Sequence, residues 1–97
     1  MHARVTSAQI QPGKMDELMQ LFKESVLPAA KQHQGFKGML VLADPSQNKG
    51  IAITLWETEA DLQTSESGYY QEQLVKASHL LAGSSVRERY EVAVQDL

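Results

Sequence analysis

The sequence predicts an α+β fold, a β-α-β-β-α-β chain with a four-stranded antiparallel sheet and both helices on one side of it. Three observations carry this prediction. Two short apolar runs, Met39–Ala43 and Ile51–Leu55, flank the turn-forming segment Asp44–Gly50. An amphipathic stretch, Lys14–His33, precedes them, and a second helical stretch, Tyr69–Ala82, follows. A β-branched segment, Ser85–Gln95, closes the chain.

Length and composition narrow the function classes. A chain of 97 residues suggests one domain, residues 1–97. Apolar and charged fractions of 42% and 22% are those of an ordinary globular domain. Net charge is −3 and the Lys and Arg residues are scattered, so binding to nucleic acid or an anionic membrane surface is not expected. The chain has no cysteine, which excludes disulfides, thiolate nucleophiles and Fe–S ligation. The N-terminus has no apolar core of a signal peptide, and no run reaches the ~20 apolar residues of a membrane span. Together these features point to a cytoplasmic protein.

The elements follow in order. Ala3–Gln11 is the first strand, with Val5 and Ile10 on opposite faces, and Pro12-Gly13 breaks it. In the helix Lys14–His33, residues Met15, Leu18, Met19, Phe22, Val26 and Ala29 recur at helical steps, while Lys14, Glu17, Gln20 and Lys23 lie mostly away from them. That stripe reads as core packing rather than as a cofactor slot. Pro28 lacks an N–H and clashes one turn back, so a kink or break before a last helical turn is expected. Gly35 supplies a left-handed stop. The hairpin then occupies Gly35–Trp56. Thr58 caps a short helix, Glu59–Ser65, which Ser67-Gly68 interrupts. Tyr70, Leu74, Ala77 and Leu81 form the stripe of the helix Tyr69–Ala82, and Gly83 ends it. In the final strand Val86, Tyr90, Val92 and Val94 share a face with Glu88, and Arg87, Arg89 and Glu91 line the other.

This order is the ferredoxin-like arrangement. Right-handed crossovers put both helices on the same side of the sheet. Neither middle strand alternates cleanly between apolar and polar residues, which implies that both sheet faces are covered. The helices cover one. A second copy packed face to face is the simplest cover for the other, so a homodimer is expected.

Pro12-Gly13-Lys14, Gly35-Phe36, Trp56, Thr58, Ala60 and Ser67-x-x-Tyr70 stand in an order and spacing that resembles the antibiotic biosynthesis monooxygenase (ABM) family of dimeric α+β barrel proteins. The resemblance covers nearly the whole chain. It implies either cofactor-free oxidation of quinols and polyketides or, in other members, degradation of haem. Many members carry histidines in the segment after the Trp. Here Leu62–Tyr70 holds none, and Tyr69 stands in the place of the second. The haem-degrading members use a His, an Asn and a Trp at places that hold Leu74, Thr6 and Ser65 here. Leucine cannot replace an axial imidazole, so no haem and no other cofactor is expected.

The three histidines, His2, His33 and His79, lack helical ligand spacing, so no metal site is expected. His79 reads as a surface residue and His33 as a helix C-terminal cap. Arg87 and Arg89 beside Glu88 and Glu91 read as a solvated or interface face rather than an anion site. The substrate-binding candidates are Trp56, Tyr69, Tyr70 and Ser65, with the catalytic residue unassigned. Aromatic rings would stack on a flat ligand, and a Tyr hydroxyl would hydrogen-bond its oxygen. Trp56 and Tyr70 are equally readable as core, while Tyr69, off the stripe, reads as the polar contact. Two functions follow: a small cofactor-independent monooxygenase for a quinol-like or polycyclic aromatic substrate, or a non-catalytic homodimeric module binding a small apolar ligand.

Overall fold

The computed structural model describes residues 1–96. Strand β1 spans His2–Gln9; helix α1, Met15–Leu21, runs through a π-turn, Phe22–Val26, into α2, Leu27–Ala30. Strands β2, Phe36–Asp44, and β3, Lys49–Trp56, form the hairpin. Helices α3, Glu59–Glu66, and α4, Tyr69–Ala77, lead to β4, Val86–Glu91. The sheet has the order β2-β3-β1-β4 and every neighbouring pair is antiparallel. This is the α+β, ferredoxin-like arrangement that the sequence predicts. Among the described residues no helix is long and apolar enough to cross a membrane.

Local chemistry sets the element ends. In the hairpin turn the Asp44 carboxylate accepts from the Ser46 N–H at 3.2 Å and its hydroxyl at 2.7 Å, and Asn48 takes a left-handed φ of 51°. Thr58 caps α3 by accepting from the Asp61 N–H at 3.0 Å. Gly35 has a φ of +82°, and a Cβ there would run into the Asp61 side chain.

Three elements depart from the sequence reading. Pro28 neither breaks nor ends the first helix. It has no N–H for the Glu24 carbonyl and its ring crowds that carbonyl. The wider π-turn Phe22–Val26 takes up the misfit and the helix continues to Ala30. Helix α4 is rotated from its expected stripe. Tyr69 and Gln73 are buried, whereas Tyr70, Leu74 and Ala77 lie at the flank of the buried face. The last strand stops at Glu91 rather than Gln95, because β1 ends opposite it, with His2 paired to Glu91. The Val92 N–H still donates to the Met1 carbonyl at 2.9 Å, and the chain then runs past the sheet.

Strand register sorts the sheet into two faces. Arg4, Thr6 and Ala8 share the helix side with Ala52, Thr54, Met39, Val41, Arg87 and Arg89. Leu40, Leu42, Ile53, Val86 and Tyr90 lie on the opposite face. Among the described residues no helix covers that face, and Leu40, Leu42, Val86 and Tyr90 are 48–57% exposed. Under the helices the core is divided. One cluster gathers Val26, Ala30, Trp56, Leu62 and Tyr69; the other gathers Ile10, Leu18 and Leu80. Leu21 and Phe22 touch both.

Candidate functional site

Between the two clusters the sheet carries small side chains. Thr6 pairs with Ala52, and Ala8 with Gly50. Helices resting on Ile10 at one end and Trp56 at the other cannot reach down to them. A cavity of about 90 Å³ results. Its floor is Thr6, Ala8, Gly50 and Ala52, and its roof includes Leu18, Phe22, Val26, Leu74 and Ala77. Gly50 permits a close approach, since a Cβ there would stand 2.9 Å from Ile10 Cδ1. A wider groove of about 300 Å³ lies alongside, lined by Met19, Phe22, Lys23, Leu27, Met39 and Val41. Met19, Phe22 and Val41 belong to both linings, so they form the partition. Met19 is a flexible side chain and Phe22 opens the π-turn.

One end of the cavity is polar. The Thr6 and Tyr70 hydroxyl oxygens are 3.3 Å apart. The Tyr70 ring is flanked by two guanidinium groups, Arg4 at 4.6 Å and Arg87 at 5.1 Å from its centroid. Gln73 also lines the cavity, held by Ser25.

Behind Tyr70 stands a buried charge cluster. Arg4 is 2% and Glu66 8% exposed. Arg4 Nη1 donates to Ser65 Oγ at 2.8 Å and lies 3.5 Å from Glu66 Oε2. Arg89 donates to both Glu66 oxygens, and Arg87 Nε is 4.0 Å from Oε2. Burial pushes the Arg4 guanidinium below its ordinary pKa, and the Glu66 carboxylate opposes that shift. Burial likewise raises the Tyr69 phenol, with Arg4 opposing. Arg87 and Arg89 point to the helix side, where both pair with Glu66 while their side chains stay 36% and 48% exposed.

The structure distributes the four candidates unequally. Trp56 is fully buried, edge-on to Phe36 at 5.5 Å, with its Nε1–H donating to Thr54 Oγ1 at 2.9 Å. Tyr69 is buried beside it, and its hydroxyl donates to the Val26 carbonyl at 3.3 Å. Ser65 is fully buried and donates to the Leu62 carbonyl at 2.6 Å. None of the four lines the cavity itself; half-buried Tyr70 stands next to it, its hydroxyl 3.3 Å from that of the lining residue Thr6. Sequence reasoning missed Arg4, Glu66 and Gln73. Arg4 shares a strand face with Thr6 and Ala8, and that parity was the one available signal; the burial of Glu66 and Gln73 follows from how α3 and α4 sit on the sheet.

The lining does not fit a haem. Leu74 lines the cavity at the place where the resemblance puts an axial His. His33 packs against Tyr69 at a 51° tilt with centroids 5.0 Å apart, His79 Nε2 lies 3.5 Å from Glu17, and His2 begins β1.

A cavity between a four-stranded antiparallel sheet and its helices, apolar with one polar end, is the candidate binding site of this small α+β protein. The chain belongs to the antibiotic biosynthesis monooxygenase family, whose model matches residues 1–77. It is similar in fold to a protein of unknown function from Nitrosomonas europaea, with 21% identity over 99% of this chain and 92% of that one and a TM-score of 0.82. SnoaB, a cofactor-independent oxygenase from Streptomyces nogalater, is similar over 97% of this chain and 94% of its own, with 12% identity and a TM-score of 0.79. A variant of MhuD with two manganese protoporphyrin IX molecules bound per active site is 20% identical over 99% of this chain and 98% of its own, with a TM-score of 0.79. No protein of curated function matches the sequence.

Two predictions follow from the site's chemistry. Glu66→Ala strands buried Arg4 without its carboxylate and is expected to cost about 3–5 kcal/mol of unfolding free energy. Chemical denaturation measures it, with Lys37→Ala, from the exposed pair with Glu57, as a control expected within about 1 kcal/mol of the parent. Haem titrated into the protein is expected to give no stoichiometric Soret complex; a saturable 1:1 spectrum would contradict the assignment of Leu74.

Proposed function

We propose that this protein is a small monooxygenase that oxidises an electron-rich aromatic substrate, a quinol or a polycyclic anthrone, without a cofactor. The supporting observation is the apolar cavity under the helices with a hydroxyl pair at one end. Its thin floor suits the flat face of a ring. At the polar end Tyr70 and Thr6 hydrogen-bond the substrate oxygen, and the guanidinium groups of Arg4 and Arg87 favour its anionic form. Trp56, Tyr69 and Ser65 contribute by holding that end rigid. The cavity wall offers hydroxyls and an amide rather than a side-chain base, so the substrate must itself be acidic enough to ionise.

The ionised substrate supplies the electrons. For an anthrone, its ring CH₂ and O₂ become C=O and water. One oxygen atom enters the ring, and the other leaves as water with the two hydrogens. The substrate loses four electrons and O₂ gains them, so no external reductant is consumed. An apolar, water-poor cavity protects the substrate carbanion from reprotonation.

Oxygen consumption with a panel of hydroquinones and anthrones tests this reading. Uptake stoichiometric with product is expected, and Ala52→Leu, which fills the floor, should abolish turnover while the melting temperature holds. Binding of the same compounds with no oxygen uptake would favour the second reading, a non-catalytic ligand-binding module, to which the missing side-chain base points. Full activity in Ala52→Leu would place the reaction elsewhere.

We further propose that the protein is a homodimer through its bare sheet face. Leu40, Leu42, Val86 and Tyr90 make that face apolar and stand exposed on it. Two such faces packed together bury on the order of 2,000 Å², the range of obligate homodimers. Sedimentation equilibrium at micromolar concentration is expected to give twice the 10.8 kDa chain mass, with a melting temperature that rises with concentration. A single 10.8 kDa species would refute the dimer.

A further inference from the structure

We infer that Gln73 selects the ligand, donating an amide N–H to a carbonyl oxygen of the molecule in the cavity. The inference rests on the cavity being the ligand site. Gln73 is 8% exposed and lines a wall that is otherwise almost wholly apolar. A buried amide beside an apolar space is costly unless its polar atoms are matched.

Its oxygen is matched through a chain of fixed polarity. Lys76 Nζ lies 3.1 Å from Ser25 Oγ, and an ammonium group can only donate. Ser25 Oγ lies 2.9 Å from Gln73 Oε1, so the serine proton goes to the amide oxygen. The reverse orientation of the amide would make one serine oxygen accept from both Lys76 and Gln73 and leave the serine proton unmatched. Gln73 Oε1 is thus committed to Ser25, and Nε2 is the free pole.

Nε2 makes none of the side-chain hydrogen bonds that hold Gln73 in place. Nor is it sealed off, since among the described residues no fully buried side-chain nitrogen or oxygen lacks a partner. It therefore opens onto accessible space, and Gln73 lines the cavity. Nε2 carries only donors. The ligand it matches is a ring system bearing a neutral oxygen acceptor, a ketone or quinone carbonyl. A bare hydrocarbon leaves the amide unpaired.

The ketone 1-indanone and the hydrocarbon indane form a matched pair, differing by C=O in place of CH₂. Calorimetry is expected to show 1-indanone bound more tightly than indane by about threefold to tenfold, the worth of one net hydrogen bond. Gln73→Leu should erase that preference and keep the indane affinity. Ser25→Ala, which keeps the amide but frees its oxygen, should reduce the preference part-way. The carbonyl stretch of bound 1-indanone should fall in the parent protein and return upward in Gln73→Leu, a change that a purely structural role would not produce. Equal affinities in the parent, a preference that survives Gln73→Leu, or one undiminished in Ser25→Ala would overturn the role of Gln73 and leave the cavity reading intact. Binding of neither compound would overturn the cavity reading, and this inference with it.

Discussion

The structure depends on one constraint: the middle of the sheet is too thin on its helix side to be covered completely. Trp56 and Ile10 prop the helices at the two ends, and the residues between them stop at a methyl group, a hydroxyl or a hydrogen. The helices span the gap as rigid rods. The space of about 90 Å³ left between sheet and helices is partly open, and the same thinness of the floor that leaves it unfilled makes it the candidate site. The π-turn belongs to this arrangement, because it widens the helix where Phe22 and Val26 form the roof.

The charge cluster secures the polar end. Glu66, on α3, joins Arg4 of β1 to Arg87 and Arg89 of β4, so the helix and two strands meet at one carboxylate. A buried guanidinium is tolerated here because Glu66 and Ser65 satisfy it. Three cations against one anion leave the cluster positive. Tyr70 stands between two of those cations, so the positive potential lies beside the phenol whose hydroxyl is 3.3 Å from that of the cavity residue Thr6. Exposed pairs such as Lys37 with Glu57 are screened and contribute little by comparison.

Much of the fold was legible in the sequence because it rests on local chemistry. Asp44-Pro45-Ser46 marks the hairpin turn and Thr58 the start of α3, each through a side-chain oxygen that accepts from a neighbour's backbone N–H; the first helix, by contrast, ends at Ala30, ahead of Gly35, whose positive φ serves the turn into β2. Unbroken apolar runs in β2 and β3 revealed a second face that the chain itself leaves bare. What local pattern could not supply was rotation and depth. Tyr69 and Tyr70 are adjacent, and which of them enters the core depends on how α4 docks, not on its spacing. The length of β4 depended on where β1 ends. The site was harder still: a cavity is made by missing side chains, and Thr6, Ala8, Gly50 and Ala52 carry no chemical signature until two strands bring them together. Arg4 and Glu66 are 62 positions apart, and only the packed structure pairs them.

The most direct test of this account is diffraction from crystals pressurised with xenon, a probe that enters apolar cavities without chemistry of its own. A xenon peak enclosed by Thr6, Ala52, Leu18 and Phe22 is the predicted result, lost in Ala52→Leu. A map with no xenon there, with the helices settled onto the floor of the sheet, would contradict it.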